Sequence, residues 1–407
     1  MNNNLLMTIL TALLPAFLQL YYIRYISYNV DKIIFADFVI LSTFIYALSQ
    51  VLLSIPGQAF SRFYNTVEDK ILFINEFRTY LIFVNILSLF FIVLIWSIYR
   101  VRFDLETYVL IYFLFILVNN YSLNQKIFLL NLDRRRFFVL KILEALSKFI
   151  LPLVAYYYFG SLNSFIVGIA LGYSISFLIL IFYLKLIPFK FYVNLKNQKK
   201  YFKFAYPIIL AGIFSWTISS SDRFFIDYYL EARELTIYAV LAQFGGMSLV
   251  ISTIYGYYVN PIILKKYEEN KFEAYQDVKR YILVLICLLC TSFFIFIFIP
   301  KHLFYFILDP NVIGDEYYYD VLIVLVTSTF FSILQTAMSI VYTMEKKLFE
   351  YAIIFCLSAI INLFLNLFVE NYGIMAAAIS TLISYLFFSL IMLIRVKNIM
   401  PALIESK

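Results

Sequence analysis

Two apolar stretches of the sequence contain ionisable residues at helical spacing. In the first, Lys141, Glu144 and Lys148 follow at steps that place them on one face of a helix. A lysine at the centre of a membrane helix costs ~2.5 to 3.5 kcal/mol on insertion scales, and such residues tend to face a partner or a polar path. Two interpretations are open: Glu144 neutralises Lys148 as a structural pair, or the cations bind an anion.

The second stretch carries a stripe of polar residues at four-residue steps. The stripe consists of Ser215, Ser219, Arg223 and Asp227. Here too the carboxylate either pairs with the cation or holds it until an anion displaces it. The candidate site therefore comprises the cations Lys148 and Arg223, with Glu144, Asp222 and Asp227 as their possible charge partners.

The elements that hold these residues must be membrane helices. The 407-residue sequence is 63% hydrophobic and 14% charged, whereas soluble domains are about half apolar and about a quarter charged. It has only 10 Gly and 9 Pro, and no polar tract is long enough for a separate soluble domain. The composition excludes a soluble fold, although it names no substrate.

Metal and redox sites are not expected. Cys287 and Cys290 form a CxxC pattern, but they lie in an apolar run, where a thiol ionises poorly. Cys356 lies in another apolar run, and the one histidine, His302, is in a short loop. Neither a zinc cluster nor a histidine relay can be assembled from these residues, so we expect no metal and no cofactor.

Twelve apolar stretches are long enough to cross a membrane, which needs ~20 residues. They are 5–26, 33–55, 79–99, 106–128, 138–159, 163–187, 204–230, 235–259, 280–300, 317–343, 350–369 and 373–394. The first is not expected to be a cleaved signal, because residues 1–4 carry no side-chain positive charge and no small-x-small site follows the run.

Lys and Arg residues indicate the orientation, because cytoplasmic loops retain them. With the N-terminus inside, 24 cations lie on the cytoplasmic side, and the six on the other side are Arg24, Lys32, Arg100, Arg102, Arg233 and Lys301. Both termini are therefore expected in the cytoplasm. Counting ~1.5 Å per residue from Arg135 places Lys148 about 20 Å along its helix, past the middle of a ~30 Å hydrocarbon layer. The same count from Lys203 places Arg223 near the outer end.

The sequence repeats weakly. Arg62-Phe63-Tyr64 after the second span corresponds to Lys265-Lys266-Tyr267 after the eighth. We predict an N-terminal half, 1–195, and a C-terminal half, 196–407, each of six helices in the same orientation. Together they would form one membrane domain with a substrate path between the halves.

Several segments of the second half match a known pattern. Residues 201–207 read Tyr-Phe-Lys-Phe-Ala-Tyr-Pro, and they are followed by Trp216, by 221–226 (Ser-Asp-Arg-Phe-Phe-Ile), by Tyr238, by 314–317 (Gly-Asp-Glu-Tyr), by 362–366 (Asn-Leu-Phe-Leu-Asn) and by 372–381. These segments resemble the bacterial O-antigen and capsular polysaccharide flippases of the multidrug, oligosaccharidyl-lipid and polysaccharide exporter superfamily. The resemblance is thinner in the first half, where it involves Arg24, 57–64 and 132–152.

The resemblance implies an all-α integral membrane fold of about twelve helices in two bundles around a central cavity. It implies a transporter rather than an enzyme, located in the bacterial inner membrane. The implied activity moves an undecaprenyl-pyrophosphate-linked oligosaccharide to the outer leaflet by alternating access, for O-antigen, lipopolysaccharide or capsule biosynthesis. The expected partners are that substrate, membrane lipids and other polysaccharide-assembly membrane proteins, but no nucleic acid. Lys148 and Arg223 would then be successive resting points for the pyrophosphate.

Two other functions remain open at this stage. A membrane polymerase or glycosyltransferase needs acid, base and phosphate-binding groups outside the bilayer, and the longest outward connection, about 301–316, offers Asp309, Asp315 and Glu316. A drug or cation exporter of the same superfamily would share the fold. No GxxxxGK[ST] loop occurs, so an ion gradient, the membrane potential or the lipid gradient must supply the energy.

Asn362 and Asn366 also have two interpretations. They are four residues apart and share one helical face. They are expected to hydrogen-bond a neighbouring helix, with substrate contact as the alternative.

Overall fold

The computed structural model describes residues 3–64, 67–99, 101–131, 133–183 and 189–402. Within these ranges the regular structure is entirely helical. Arg100 and Leu132, which the sequence places in loops, lie outside the described residues.

The helices of the first half of the chain are long and joined by short connections. They are α1 (Asn3–Asn29), α2 (Lys32–Leu52), α3 (Ser54–Phe63), α4 (Lys70–Tyr99), α5 (Leu105–Leu130), α6 (Arg134–Ala145), α7 (Leu151–Phe159) and α8 (Leu162–Tyr183). A five-residue π-turn, Leu146–Ile150, joins α6 to α7.

The second half has the same character, with more interruptions. Its helices are α9 (Leu195–Ser220), α10 (Asp222–Tyr229), α11 (Ala232–Gly245), α12 (Val250–Ile254), α13 (Asn260–Glu269), α14 (Lys271–Phe298), α15 (Lys301–Phe304), α16 (Pro310–Ile313), α17 (Glu316–Met344), α18 (Leu348–Asn366), α19 (Val369–Tyr372) and α20 (Ile374–Ala402). A 3₁₀ turn, Gly246–Leu249, precedes α12, and a second π-turn, Tyr255–Val259, follows it.

Eleven helices in the described part of the chain are long and apolar enough to cross a membrane. The remaining predicted span, 138–159, corresponds to α6, the π-turn and α7 in succession. At ~1.5 Å per residue this segment is about 40 Å long, enough to cross ~30 Å of hydrocarbon. The prediction of an all-α integral membrane fold is confirmed.

Polar residues fix the starts of several helices. The Asp133 carboxylate accepts from the Arg136 amide at the start of α6. The Asn270 side chain likewise accepts from the Glu273 amide at the start of α14. Such side chains satisfy amides that have no partner within the helix. At the other end of a helix, Gly160 closes α7 with φ of 60°, a left-handed conformation that glycine adopts without strain.

The chain forms two compact units. The first unit comprises Met1–Tyr22 and Asp37–Ile213, and the second comprises Ile23–Ala36 and Phe214–Lys407. In the first, α8 packs along α5 and α7, and in the second, α17 packs against α20 and α11. These two units do not test the predicted sequence halves, 1–195 and 196–407, which remain a prediction.

Candidate functional site

Glu144 lies between two lysines of the same helical face. Its Oε2 is 2.7 Å from the Lys141 ammonium, and its Oε1 is 2.7 Å from the Lys148 ammonium. Gln125 of α5 donates to Glu144 Oε2 through its amide nitrogen at 3.1 Å. Tyr173 of α8 also lies beside the Lys148 ammonium. Glu144 therefore contacts Lys148, and Lys141 shares the same carboxylate.

The backbone around Lys148 departs from the α-helix. The Leu151 amide donates to the carbonyl of Leu146, five residues earlier, which makes a π-turn. Pro152 follows directly and has no amide hydrogen, so it cannot donate to the carbonyl of Lys148 four residues before it. A π-turn accommodates the missing bond, and such turns are frequent at functional sites.

Helix α8 holds the π-turn through a close approach of two backbones. A Cβ atom added to Gly172 would lie 2.6 Å from the Cα of Ser147, and one added to Gly168 would lie 2.6 Å from the carbonyl oxygen of Leu151. The hydroxyls of Ser147 and Ser176 are 3.1 Å apart, within hydrogen-bonding distance. Small residues permit such contacts between membrane helices, so α8 fixes the position of the helix that carries Lys148.

The Glu144 carboxylate of this cluster is buried, whereas one of the lysine side chains is exposed. The Glu144 side chain is 12% exposed, whereas the Lys148 side chain is 46% exposed. Two ammonium groups share one carboxylate, so the cluster carries net positive charge. A cluster with net positive charge inside an apolar helix can attract an anionic group.

Arg223 lies in the second unit, at the start of α10. The α-helix is interrupted at Ser221, where the Phe224 amide bonds to the Ser221 carbonyl, only three residues back, at 3.0 Å. Such a bond tightens the turn. The stripe therefore crosses a tight turn, with Ser215 and Ser219 in α9 and Arg223 and Asp227 in α10. Its role in binding remains a prediction.

Asp222 is a buried carboxylate beside Arg223. It is 3% exposed, and it accepts hydrogen bonds from the Tyr238 hydroxyl and, at 2.9 Å, from the Arg223 amide. The Arg223 charge also interacts with Asp222 electrostatically. Asp222 thus accepts from the backbone of Arg223, while Tyr238 of α11 fixes the carboxylate from a second helix. The role of Asp222 as a charge partner remains a prediction.

Asn362 and Asn366 hydrogen-bond within a buried network of the second unit. Asn366 donates to the Asn362 side-chain oxygen at 3.1 Å, and Asn362 donates to the Ser380 hydroxyl of α20 at 3.2 Å. Ser380 in turn donates to Asn366 at 2.8 Å, and Ser221 donates to Asn362 at 3.2 Å. The expectation that these asparagines bond a neighbouring helix is confirmed.

Metal ligation finds no support among the residues that the structure describes. They contain no group of three or more His, Cys, Asp or Glu side chains that could hold a metal ion. Cys287 and Cys290 are free thiols with exposed side chains on α14. The oxygen atoms around Asp222 and Asn362 bond the neighbouring protein groups named above.

The structure adds residues that sequence reasoning did not assign to the site. Gln125 and Tyr173 contact the Glu144 cluster from α5 and α8. Lys126, counted with the cytoplasmic cations of the sequence, lies inside α5. The signal that could have found Gln125 and Lys126 is their position as polar neighbours at the end of an apolar run.

Comparisons with known proteins bear on the fold. No protein-family model matches the sequence, and no curated protein sequence matches it. Among solved structures, the chain is similar to the lipid II flippase MurJ in an inward closed conformation, with a TM-score of 0.67 and 18% identity over 95% of this chain and 86% of that one. The chain shares the fold of this flippase.

Two further structures show how widely the fold is shared. A multidrug resistance MATE family transporter of the MOP superfamily, in an inward-facing conformation, has a TM-score of 0.63 and 14% identity over 96% of this chain and 98% of that one. A MOP superfamily transporter from Pyrococcus furiosus, described as having a binding pocket of reverse polarity, has a TM-score of 0.63 and 12% identity over 98% and 95%. The chain is a multi-pass integral membrane protein.

Proposed function

We propose that this protein is a flippase for an undecaprenyl-pyrophosphate-linked oligosaccharide. It would move this substrate from the cytoplasmic to the outer leaflet of the bacterial inner membrane by alternating access, with both of its termini in the cytoplasm. The likeness to a lipid II flippase supports a lipid-linked substrate, because the two chains share a fold over most of their length.

The observation that carries the proposal is the ion cluster inside an apolar helix, where Lys141 and Lys148 share the buried Glu144 carboxylate and the Lys148 side chain is 46% exposed. A pyrophosphate that crosses a layer of low dielectric needs positive charge along its path. Glu144 and Tyr173 lie beside the Lys148 ammonium, and part of the Lys148 side chain is exposed. A phosphate oxygen that reaches the cluster can compete with the carboxylate for the cation.

The remaining cations extend this path in depth. Arg134, Arg135 and Arg136 stand at the start of α6, and Arg223 is expected near the outer end of its span. Arg grips phosphate oxygens in a two-pronged manner, whereas Lys acts as a point charge. We therefore assign Arg223 the role of a two-pronged phosphate contact near the outer end of the path. Lys148 would be a point charge at intermediate depth.

Two of the acidic residues on which a polymerase or glycosyltransferase would depend accept hydrogen bonds from helix amides. Asp309 and Asp315, in the outward connection, cap the starts of α16 and α17 by accepting from the amides of Asn311 and Tyr317, both at 2.9 Å. Carboxylates used in this way stabilise helix starts. A drug or cation exporter is a stronger alternative, because multidrug transporters share the fold. The net positive cluster around Glu144 favours an anionic substrate over a cationic one.

Deleting the gene tests the proposal. We expect the surface polysaccharide to be lost while its lipid-linked unit is still made and accumulates on the cytoplasmic leaflet. Leaflet location is measured by the access of a membrane-impermeant, sugar-modifying enzyme to the lipid-linked unit in intact and in inverted vesicles. Unpolymerised chains outside the cell would support the polymerase instead. Increased drug sensitivity with a normal surface polysaccharide would support the exporter.

A further inference from the structure

Lys126 of α5 is a cation whose ammonium group contacts the backbone of another helix. Its ammonium donates to the carbonyl of Gly57 in α3 at 3.2 Å. A Cβ atom added to Gly57 would lie 2.8 Å from that ammonium nitrogen. The absence of a side chain at residue 57 therefore lets the ammonium reach the carbonyl, and the carbonyl holds it without neutralising it.

The charges around Lys126 are unbalanced. Gln125, the residue before Lys126 in α5, donates to Glu144, the carboxylate that pairs with Lys141, so the two lysines lie in neighbouring parts of α5 and α6 and their charges repel. Lys141 bonds to Glu144, but that carboxylate is shared with Lys148. Two ammonium groups thus share one carboxylate in the first unit, and the third ammonium, that of Lys126, bonds to a carbonyl instead. Like charges in a poorly solvated region repel strongly, and an anion placed between them relieves that repulsion.

Lys126 and Lys141 also lie at a similar depth. Lys126 is one turn before the end of α5 at Leu130, about 6 Å from its cytoplasmic end by helical rise. Lys141 is two turns into α6, about 10 Å from Arg134. Both precede Lys148 along the path that begins at the arginines of α6. Lys126 and Lys141 therefore lie between these arginines and Lys148 along the predicted path.

We propose that Lys126 and Lys141 together form a phosphate-binding site between the cytoplasmic mouth and Lys148, and that Glu144 releases Lys141 when phosphate binds. Each ammonium donates to phosphate oxygens. When no phosphate is bound, the Gly57 carbonyl keeps Lys126 in position. The natural ligand of this site, the pyrophosphate of a lipid-linked sugar, rests on the proposed function. The anion site itself does not.

Inorganic pyrophosphate is the probe for this site. The full-length protein is placed in lipid nanodiscs, and its unfolding temperature is measured against pyrophosphate concentration at constant ionic strength. Ligands that bind only the folded state raise this temperature. We expect Lys126→Met and Lys141→Met each to weaken the apparent affinity about tenfold or more, because each removes a charged hydrogen-bond donor. Lys126→Arg should retain the affinity.

Gly57→Ala provides a test that leaves every charge in place. Its Cβ would lie 2.8 Å from the Lys126 ammonium nitrogen and would push it off the Gly57 carbonyl, so we expect a loss of affinity smaller than that of Lys126→Met. Gly246→Ala is the matched control, because the nearest heavy atom to its Cβ would be 3.9 Å away. Lys265→Met is the control for loss of a lysine, since that side chain is 80% exposed. Both controls should bind pyrophosphate like the wild type.

A purely structural tie between α3 and α5 predicts a different result. Lys126→Met would then lower the unfolding temperature without ligand but leave the pyrophosphate affinity unchanged, and this overturns the proposal. A wild-type protein that pyrophosphate does not stabilise also overturns it. If the affinity falls as expected while gene deletion leaves the lipid-linked sugar normally distributed, the anion site stands and the flippase function fails.

Discussion

Glu144 is a buried carboxylate that contacts two ammonium groups, and this arrangement makes single and paired substitutions informative. Removing one member of a buried ion pair costs about 3 to 5 kcal/mol, because the remaining charge is left unpaired, whereas neutralising both members is often harmless. When Lys148 is replaced, Glu144 keeps its contact with the Lys141 ammonium, so the remaining charge is not left unpaired. Substitution of Lys148 therefore reports on transport more than on folding.

We expect Lys148→Gln to reduce export of the lipid-linked sugar about tenfold or more at normal protein levels, since a charged contact to phosphate contributes about 1.5 to 3 kcal/mol. Export is measured as surface polysaccharide, and protein levels by immunoblot. If the lysine acts on the substrate, the double variant Lys148→Gln with Glu144→Gln stays inactive. Recovery of export in the double variant would instead identify a structural pair.

Arg223 allows the same comparison in the second unit. Arg223→Ala should also stop export, and Arg223→Lys should impair it more than Lys148→Arg does, because a lysine cannot reproduce a two-pronged grip on phosphate. Full export by either alanine variant, at normal protein levels, would contradict the cation path and leave these charges as packing features.

At the scale of elements, the spacing of Lys141, Glu144 and Lys148 was sufficient to predict their shared face but not the π-turn that contains Lys148. Helical periodicity assumes one bond pattern throughout. Pro152 breaks that pattern, and the glycines of α8 determine how the backbone responds, since they let it pack against Ser147. That response depends on a contact between helices distant in sequence, which periodicity does not contain.

Hydrogen bonds connect the tip of the α1–α2 hairpin to the connection between α14 and α17, both within the second unit. They join Arg24 to the Phe306 carbonyl at 2.9 Å, the Tyr28 hydroxyl to the Leu308 carbonyl at 3.0 Å, and the Asp309 amide to the Ser27 hydroxyl at 2.8 Å. Helices α1 and α2 each continue from this tip into the first unit. The predicted orientation places the tip on the outer side.

If this contact opens in each transport cycle, a covalent link across it should stop export. We expect Ser27→Cys with Asp309→Cys, in a chain whose native cysteines are replaced, to lose export on oxidation and to regain it on reduction. Each single cysteine variant is the control and should export under both conditions. Unchanged export with the link formed, as shown by a mobility shift on gels, would mean that the tip stays attached throughout the cycle.

At the scale of the whole molecule, hydropathy predicted the membrane helices well but misplaced several of their ends. The third and ninth predicted spans begin at 79 and 280, whereas α4 begins at Lys70 and α14 at Lys271. Charged residues at the membrane surface end an apolar run without ending the helix. The cap decides instead, as Asn270 does for α14.

The orientation of the whole chain is the remaining prediction, and it follows from the 24 cytoplasmic and six outer cations. Glu231 precedes the membrane span Ala232–Ile254, and Asn270 lies beyond it, between α13 and α14. Both residues are exposed. A reporter enzyme that works only in the cytoplasm should be active when fused after Asn270 and inactive when fused after Glu231, and a reporter active only outside should show the opposite. The reverse pattern would invert the membrane orientation and with it the direction of the cation path. Equal activity at both positions would mean that Ala232–Ile254 does not cross the membrane.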